Sequence, residues 1–325
     1  MRNVLIGIRR IVAVAVVVTM AGCGGSADVE GIGEEGRPVV EDGVFTIGMT
    51  QSDRSDPWHA QMDADIETAA ASHDDLKVLF KDAGGDSDRQ LQQVEQFIDQ
   101  RVDLIIINPV EAQQLTEPVA KAYDAGIPVI VLDRPVIGDK YTCFIGSDQK
   151  EIGAAAARWV TDNVPGRVNV VCLEDPERSP KGIARHEGFR ATLIDPRFRI
   201  LSQAAVSGKE DVARREMEEA LKSFEKIDVV FAYNDTAAHD AYLAAKQAGR
   251  DADTLLLGID ALPGEGIEHV DAGELAVTFQ SPTGGAEAVD MAVKLRDGEE
   301  VPKRISLKTR FFTKENLAKG GQSIE

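Results

Sequence analysis

Val129-Ile130-Val131-Leu132-Asp133-Arg134 is an unbroken apolar run, rich in β-branched residues, that stops at a carboxylate beside a guanidinium. Such a run predicts a strand buried on both faces, which is the condition of parallel strands covered by helices. In open α/β sheets, ligands bind beyond the carboxyl ends of the strands. Asp133 and Arg134 therefore stand where a small polar ligand bearing hydroxyl groups would be met.

The flanking sequence repeats this unit. Strands are predicted over Val44–Thr50, Leu76–Phe80, Asp103–Asn108 and Pro128–Leu132. Between them, apolar residues at helical spacing predict helices over Pro57–Ser72, Asp86–Gln100 and Glu111–Tyr123. A second series follows, with strands near Thr142, Arg167, Phe198, Asp228, Thr254 and Leu275 and intervening helices that include Gln149–Asn163, Gly182–Ile194, Thr236–Ala248 and Gly284–Leu295. Ile305–Phe312 reads as an extended tail. Alternating strand and helix demands parallel sheets with right-handed crossovers. The predicted fold class is α/β, two doubly wound, Rossmann-like parallel-sheet lobes.

The chain has 325 residues, 43% hydrophobic and 28% charged, with a net charge of −19. That charge excludes nucleic acid as a partner, because its phosphates would be repelled. Residues 1–22 read as a signal peptide: Arg2, Arg9 and Arg10 precede an apolar stretch too short to span a bilayer as a helix. Cys23, after Ala21-Gly22, sits as in a bacterial lipobox, with Met20 where leucine is usual; lipidation there would anchor the protein. Residues 23–43 form a tether rich in glycine and acid. Its Gly31-Ile32-Gly33-Glu34-Glu35-Gly36 spells a dinucleotide motif but precedes the first strand, so no nucleotide cofactor is expected. Cys143 and Cys172 fall in predicted strands and are expected to be free and buried.

Polar residues recur after the strands. Ser52, Asp56, Trp58 and His59 follow the first, with Gln51 beside them; Asn108 follows the third, and Asp133-Arg134 the fourth. In the second half Asn234, Asp260 and Gln280 end strands, and Arg185 opens a helix after Leu173. Carboxylates accept from vicinal hydroxyls, arginines donate in pairs, and an indole packs against the C–H face of a sugar ring. Partial protonation of His59 would make affinity vary between pH 5 and 8.

Ile107-Asn108-Pro109, Gly126 to Arg134, Arg185-His186-Glu187-Gly188-Phe189, Phe231-Ala232-Tyr233-Asn234-Asp235 and Gly258-Ile259-Asp260 resemble the ribose-type (type I) periplasmic sugar-binding proteins of ABC transporters. The resemblance runs from Val44 to the C-terminus. It implies two lobes joined by three hinge crossings, an N-terminal lobe of 44–147 plus 281–309 and a C-terminal lobe of 148–280 plus 310–325. The ligand contacts it implies are Ser52, Asp56, Trp58, His59, Asn108, Asp133, Arg134, Arg185, Asn234, Asp260 and Gln280. Asp56, Trp58, His59, Ser207 and Ile259 depart from the pattern of ribose binders, which points to another sugar.

The implied function is an extracytoplasmic lipoprotein, periplasmic or at the cell surface, that captures a monosaccharide and delivers it to an ABC permease. It would be a monomer, attached to the membrane only through Cys23, with no metal and no catalytic residue. A sensor presenting its ligand to a membrane receptor is the alternative. A secreted hydrolase is remote, since no G-x-S-x-G, H-E-x-x-H or Cys/His cluster is present.

Overall fold

The computed structural model describes residues 43–175, 179–206 and 211–324. The signal segment, Cys23, the glycine-rich tether and Ser207 lie outside them.

The chain runs β1 (Phe45–Gln51), α1 (Pro57–Ala70), β2 (Leu76–Asp82), α2 (Ser87–Asp99), β3 (Leu104–Ile107), α3 (Ala112–Asp124), β4 (Val129–Leu132) and β5 (Cys143–Gly146). It continues with α4 (Gln149–Asn163), β6 (Val168–Glu174), α5 (Pro180–Thr192), β7 (Phe198–Ala205), α6 (Val212–Ser223), β8 (Val229–Ala232), α7 (Asp235–Gln247), β9 (Leu255–Asp260), α8 (Gly266–Ala272) and β10 (Val277–Gln280). α9 (Gly285–Arg296), β11 (Arg304–Ser306), β12 (Arg310–Phe312) and β13 (Gln322–Ser323) complete it.

Two sheets result, in the orders β11-β5-β4-β3-β1-β2 and β13-β12-β10-β9-β8-β6-β7. Every pairing in the first is parallel. The second is parallel except where β12 meets β10 and β13. Among the described residues the chain passes between the sheets three times, after β5, after β10 and after β11.

The inner strands β3, β4, β5 and β8 are buried along their whole length because each sheet is covered on both faces there, whereas the flanking strands β2 and β7 carry polar, partly exposed residues. Successive side chains point to opposite faces. Leu104, Ile106, Ile130 and Leu132 therefore enter one core with Met62 and Ile66 of α1. Ile105, Ile107, Val129 and Val131 enter another with Val94 and Phe97 of α2. β6 and β8 divide in the same way between the two cores of the second sheet. Cys143 and Cys172 are free and buried. Among the described residues, no helix is long and apolar enough to cross a membrane.

The extended tail expected over Ile305–Phe312 is a pair of strands in different sheets: β11 pairs with β5, β12 with β10, and Leu307–Thr309 cross between them. Local extended propensity is the same in both strands, so it does not reveal which sheet each joins.

In the second lobe α4 and α5 meet backbone to backbone. A Cβ on Gly153 would lie 1.8 Å from the Arg185 carbonyl oxygen, and one on Gly188 would lie 1.9 Å from that of Lys150. Two glycines thus set the spacing of the helix that carries Arg185.

Candidate functional site

Side chains at the carboxyl ends of the two sheets meet, with Lys181 Nζ 3.7 Å from Asp133 Oδ1, and helix caps set the first wall of this site. Asp56 caps α1, its Oδ1 accepting from the Trp58 and His59 amides at 2.8 and 3.3 Å, with Pro57 in the first turn. That cap turns Trp58 and His59 inward, where both are buried. Trp58 Nε1 donates to the Ser281 carbonyl at 2.6 Å, tying the indole to the crossing after β10. His59 Nδ1 lies 3.0 Å from the Asp53 carbonyl, and its Nε2 lies 3.4 Å from Ser52 Oγ. Burial holds the His59 ring below its ordinary 6.5, with nearby Asp56 opposing and Lys181 reinforcing the shift. The burial thus favours the neutral ring over the charged one.

Gln51 proves structural. It donates to Asp63 at 2.9 Å and accepts from Asn108 Nδ2 at 2.9 Å, joining β1, α1 and the end of β3. Asn108 is fully buried, and its Oδ1 has no protein partner.

Asp133 ends β4 with φ of 59°, a left-handed conformation that aspartate tolerates better than most residues. Its Oδ1 lies 3.7 Å from Lys181 Nζ, while its Oδ2 is buried without a hydrogen-bond partner. Arg134 donates to the Val110 carbonyl, and its Nε is also buried and unpartnered. Buried polar atoms are nearly always satisfied in folded proteins, so this group at the ends of adjacent strands calls for an explanation.

The opposing wall is built on Arg185, which is 2% exposed. Its Nε donates to Gln149 Oε1 at 2.8 Å, Nη1 to the Tyr233 carbonyl at 2.6 Å, and Nη2 to Asp260 Oδ1 at 3.1 Å. Gln149 Nε2 in turn donates to Ser281 Oγ at 3.4 Å. A polar chain therefore runs Trp58–Ser281–Gln149–Arg185–Asp260 through two of the crossings. Burial raises the Asp260 carboxyl above its usual range, against the pull of Arg185 and Lys181. Asp260 has φ of 120° and Ala261 of 53°. That unusual turn is held by Asp235, whose Oδ2 accepts from the Ala261 amide at 2.7 Å and whose Oδ1 accepts from Thr278 Oγ1 at 2.6 Å.

The expected residues separate by role. Ser52, Trp58, His59, Asn108, Asp133 and Arg134 line the first wall; Arg185 and Asp260 form the second, with Gln280 in register beside Asp260 on β10. Asn234 spends its Oδ1 capping α7, accepting from the Ala237 amide at 2.9 Å, and its neighbour Asp235 is the buried member of that pair.

One residue escaped the sequence reading. Lys181, from α5, places Nζ 3.5 Å from the Trp58 ring centroid and between Asp133 and Asp260. Burial lowers its ammonium from the ordinary value, with Asp133 pulling the other way. The available signal was its spacing: Lys181 precedes Arg185 by four positions, on one helix face.

His186, next to Arg185, is 3% exposed and packs 5.0 Å from the Phe231 ring. Burial, reinforced by Arg190 and Arg185, pushes its imidazole down to about 4. The unfolded chain therefore takes up a proton first as pH falls, and native stability drops between about 6.5 and about 4, by roughly 3 kcal/mol from this group. His186→Gln should remove that share. Denaturant melts of both proteins at pH 7 and pH 4 check it; equal acid losses would exclude His186.

Residues 47–300 match the periplasmic binding protein domain family. The ribose import binding protein of Bacillus subtilis is 28% identical over 83% of this chain and 87% of its own length. The fructose-binding periplasmic domain of a hybrid two-component system is 35% identical, with TM-score 0.77, over 85% of this chain and 93% of that one. An ABC transporter solute-binding protein of Bacillus halodurans with bound myo-inositol is 30% identical, with TM-score 0.79, over 87% and 99%.

Proposed function

Because the chain belongs to the periplasmic binding protein family, we propose that it captures a neutral monosaccharide or polyol between its lobes and delivers it to an ABC permease. The observation that carries this reading is the set of buried, unpartnered atoms at the ends of β3 and β4: Asn108 Oδ1, Asp133 Oδ2 and Arg134 Nε. Two acceptors and a donor suit hydroxyl groups, each of which donates and accepts. Neutrality follows from the charges at the site. Asp133 and Asp260, with the exposed Asp56 at the rim, balance Arg134, Lys181 and Arg185, so a charged ligand would leave an uncompensated charge in a largely buried site.

In this reading Ser52, Asp56, Trp58, His59, Asn108, Asp133, Arg134, Arg185, Asn234, Asp260 and Gln280 contact the ligand, and Lys181 joins them. The hinges lie at 147/148, 280/281 and 309/310. The ligand favours the closed population by touching both walls. The protein is a monomer without catalytic activity, held extracytoplasmically through lipidated Cys23.

Melting of the chain with a panel of neutral sugars, polyols and uronic acids tests the reading. A neutral compound should raise the melting temperature, by mass action on the native state. Asp133→Asn keeps a residue that tolerates the left-handed backbone and removes only the charge. It should weaken that ligand roughly ten- to a hundredfold by calorimetry, the loss of a charge-assisted hydrogen bond. No stabilisation by any neutral compound, or affinity within about twofold in Asp133→Asn, would overturn it.

A further inference from the structure

Away from that site, the second lobe brings together His239 on α7, His269 on α8 and Glu274 just beyond α8, with one ligand atom of each within 4.8 Å of the others. We propose that these residues form a binding site for a divalent transition-metal ion of the zinc type.

One contact has the spacing of a coordination shell, and the other is a hydrogen bond whose proton an ion would displace. His239 Nε2 lies 3.3 Å and His269 Nδ1 2.8 Å from Glu274 Oε2. Metal–ligand bonds of about 2.0–2.1 Å at tetrahedral angles set ligand atoms about 3.3 Å apart. The imidazole rings are stacked, 3.7 Å between centroids and 14° between planes. Their in-plane lone pairs therefore run side by side, and binding one cation requires one ring to turn about its side-chain torsions until both nitrogens converge on the ion beside Glu274.

The site is also built by the backbone. Gly273 ends α8 with φ of 76°, and its left-handed turn reverses the chain. The Glu274 and Leu275 amides both donate to the His269 carbonyl, at 2.8 and 3.2 Å. Glu274 is thereby clamped beside His269 before any ion arrives. His239 comes from another helix, so the third ligand is positioned by the packing of α7 against α8. All three residues are partly exposed, which gives an ion access from solvent and leaves a fourth position for water. Nitrogen and carboxylate ligands suit zinc, cobalt, nickel and copper better than calcium or magnesium. Lys246 is the cation near the cluster, with its Nζ 5.2 Å from the Tyr242 ring centroid.

Calorimetric titration of the untagged full chain with Zn(II), and visible absorption with Co(II), test the proposal. A single saturable step should appear, with the visible bands of low-coordinate Co(II). His239→Ala, His269→Gln and Glu274→Gln should each abolish the step while circular dichroism stays unchanged; His73→Gln should keep it. If a variant fails to fold, imidazole nitrogen resonances of the wild-type chain serve instead, and those of His239 and His269 should shift with Zn(II). Absence of a saturable step, its survival in the folded variants, or unmoved resonances would each leave the cluster a hydrogen-bonded one and overturn the proposal.

Discussion

Gly153→Ala should lower the stability of the second lobe by about 3 kcal/mol, the upper end of the typical cost of overpacking. The added Cβ would fall 1.8 Å from the Arg185 carbonyl oxygen. That atom belongs to the backbone of a helix, so no rotamer change relieves the clash; α4 and α5 must separate. α4 offers no compensating gap, because Ala154, Ala155, Ala156 and Ala157, which run round the helix, are all buried. A domain of this size loses about 2–4 °C per kcal/mol, so the melting temperature should fall by roughly 6–12 °C. Gly264→Ala is the matched control, since a Cβ there meets nothing within 4 Å. Because the displaced segment carries Arg185, ligand affinity should fall along with stability. Melting within a degree or two of wild type would mean that the helices do not approach so closely.

Arg185→Met should cost about 3–5 kcal/mol at pH 8, the usual penalty for removing one partner of a buried ion pair. Methionine preserves much of the apolar stem but leaves the Asp260 carboxylate buried without its guanidinium. It also leaves Gln149 Oε1 and the Tyr233 carbonyl without their donor. The pH dependence gives the mechanism away. Asp260 already titrates above its ordinary range through burial, and losing Arg185 raises it further. The folded variant then binds a proton more tightly than the unfolded chain does, so its stability is regained as pH falls through the folded value and lost as pH rises. The deficit against wild type should therefore be smaller at pH 5 than at pH 8. The double variant Arg185→Met, Asp260→Asn should recover much of the pH 8 loss. Denaturant melts of wild type, both single variants and the double variant complete the cycle. A loss below about 1 kcal/mol at pH 8, or no recovery in the double variant, would show that the pair does not carry this energy.

Both changes act on α5, and α5 is also where reading the sequence stopped short. Arg185 could be nominated because the sequence places it near the start of a helix after a strand, within a recognisable motif; in the structure it stands in the second turn of α5. Lys181, four residues earlier, could not be aimed: its Nζ meets Trp58 and Asp133, residues of the other sheet. Nothing local to Pro180-Lys181-Gly182 encodes that encounter, which depends on how the two walls meet. Asn234 and Asp235 pose a related problem. Adjacent polar residues at a strand end look equivalent, yet one caps α7 and the other lies buried under the Asp260–Ala261 turn. Gln51 looked like a site residue because it ends β1; three-dimensional contacts with Asp63 and Asn108 make it a brace.

Local chemistry alone determined strands β1 to β10, the alternation and the two-sheet class, because burial on both faces forces apolar runs such as Ile105-Ile106-Ile107 and Val129 to Leu132. It also determined that polar groups would cluster at strand ends, since a strand buried on both faces can end in charge only where it leaves the sheet. Tertiary structure alone decided which sheet received β11 and which β12, that Lys181 crosses to Trp58, and that His239 meets His269 and Glu274. Each of those outcomes is a contact between segments far apart in the chain. A short extended segment or a helical face can satisfy its own backbone without specifying its partner; packing makes that choice.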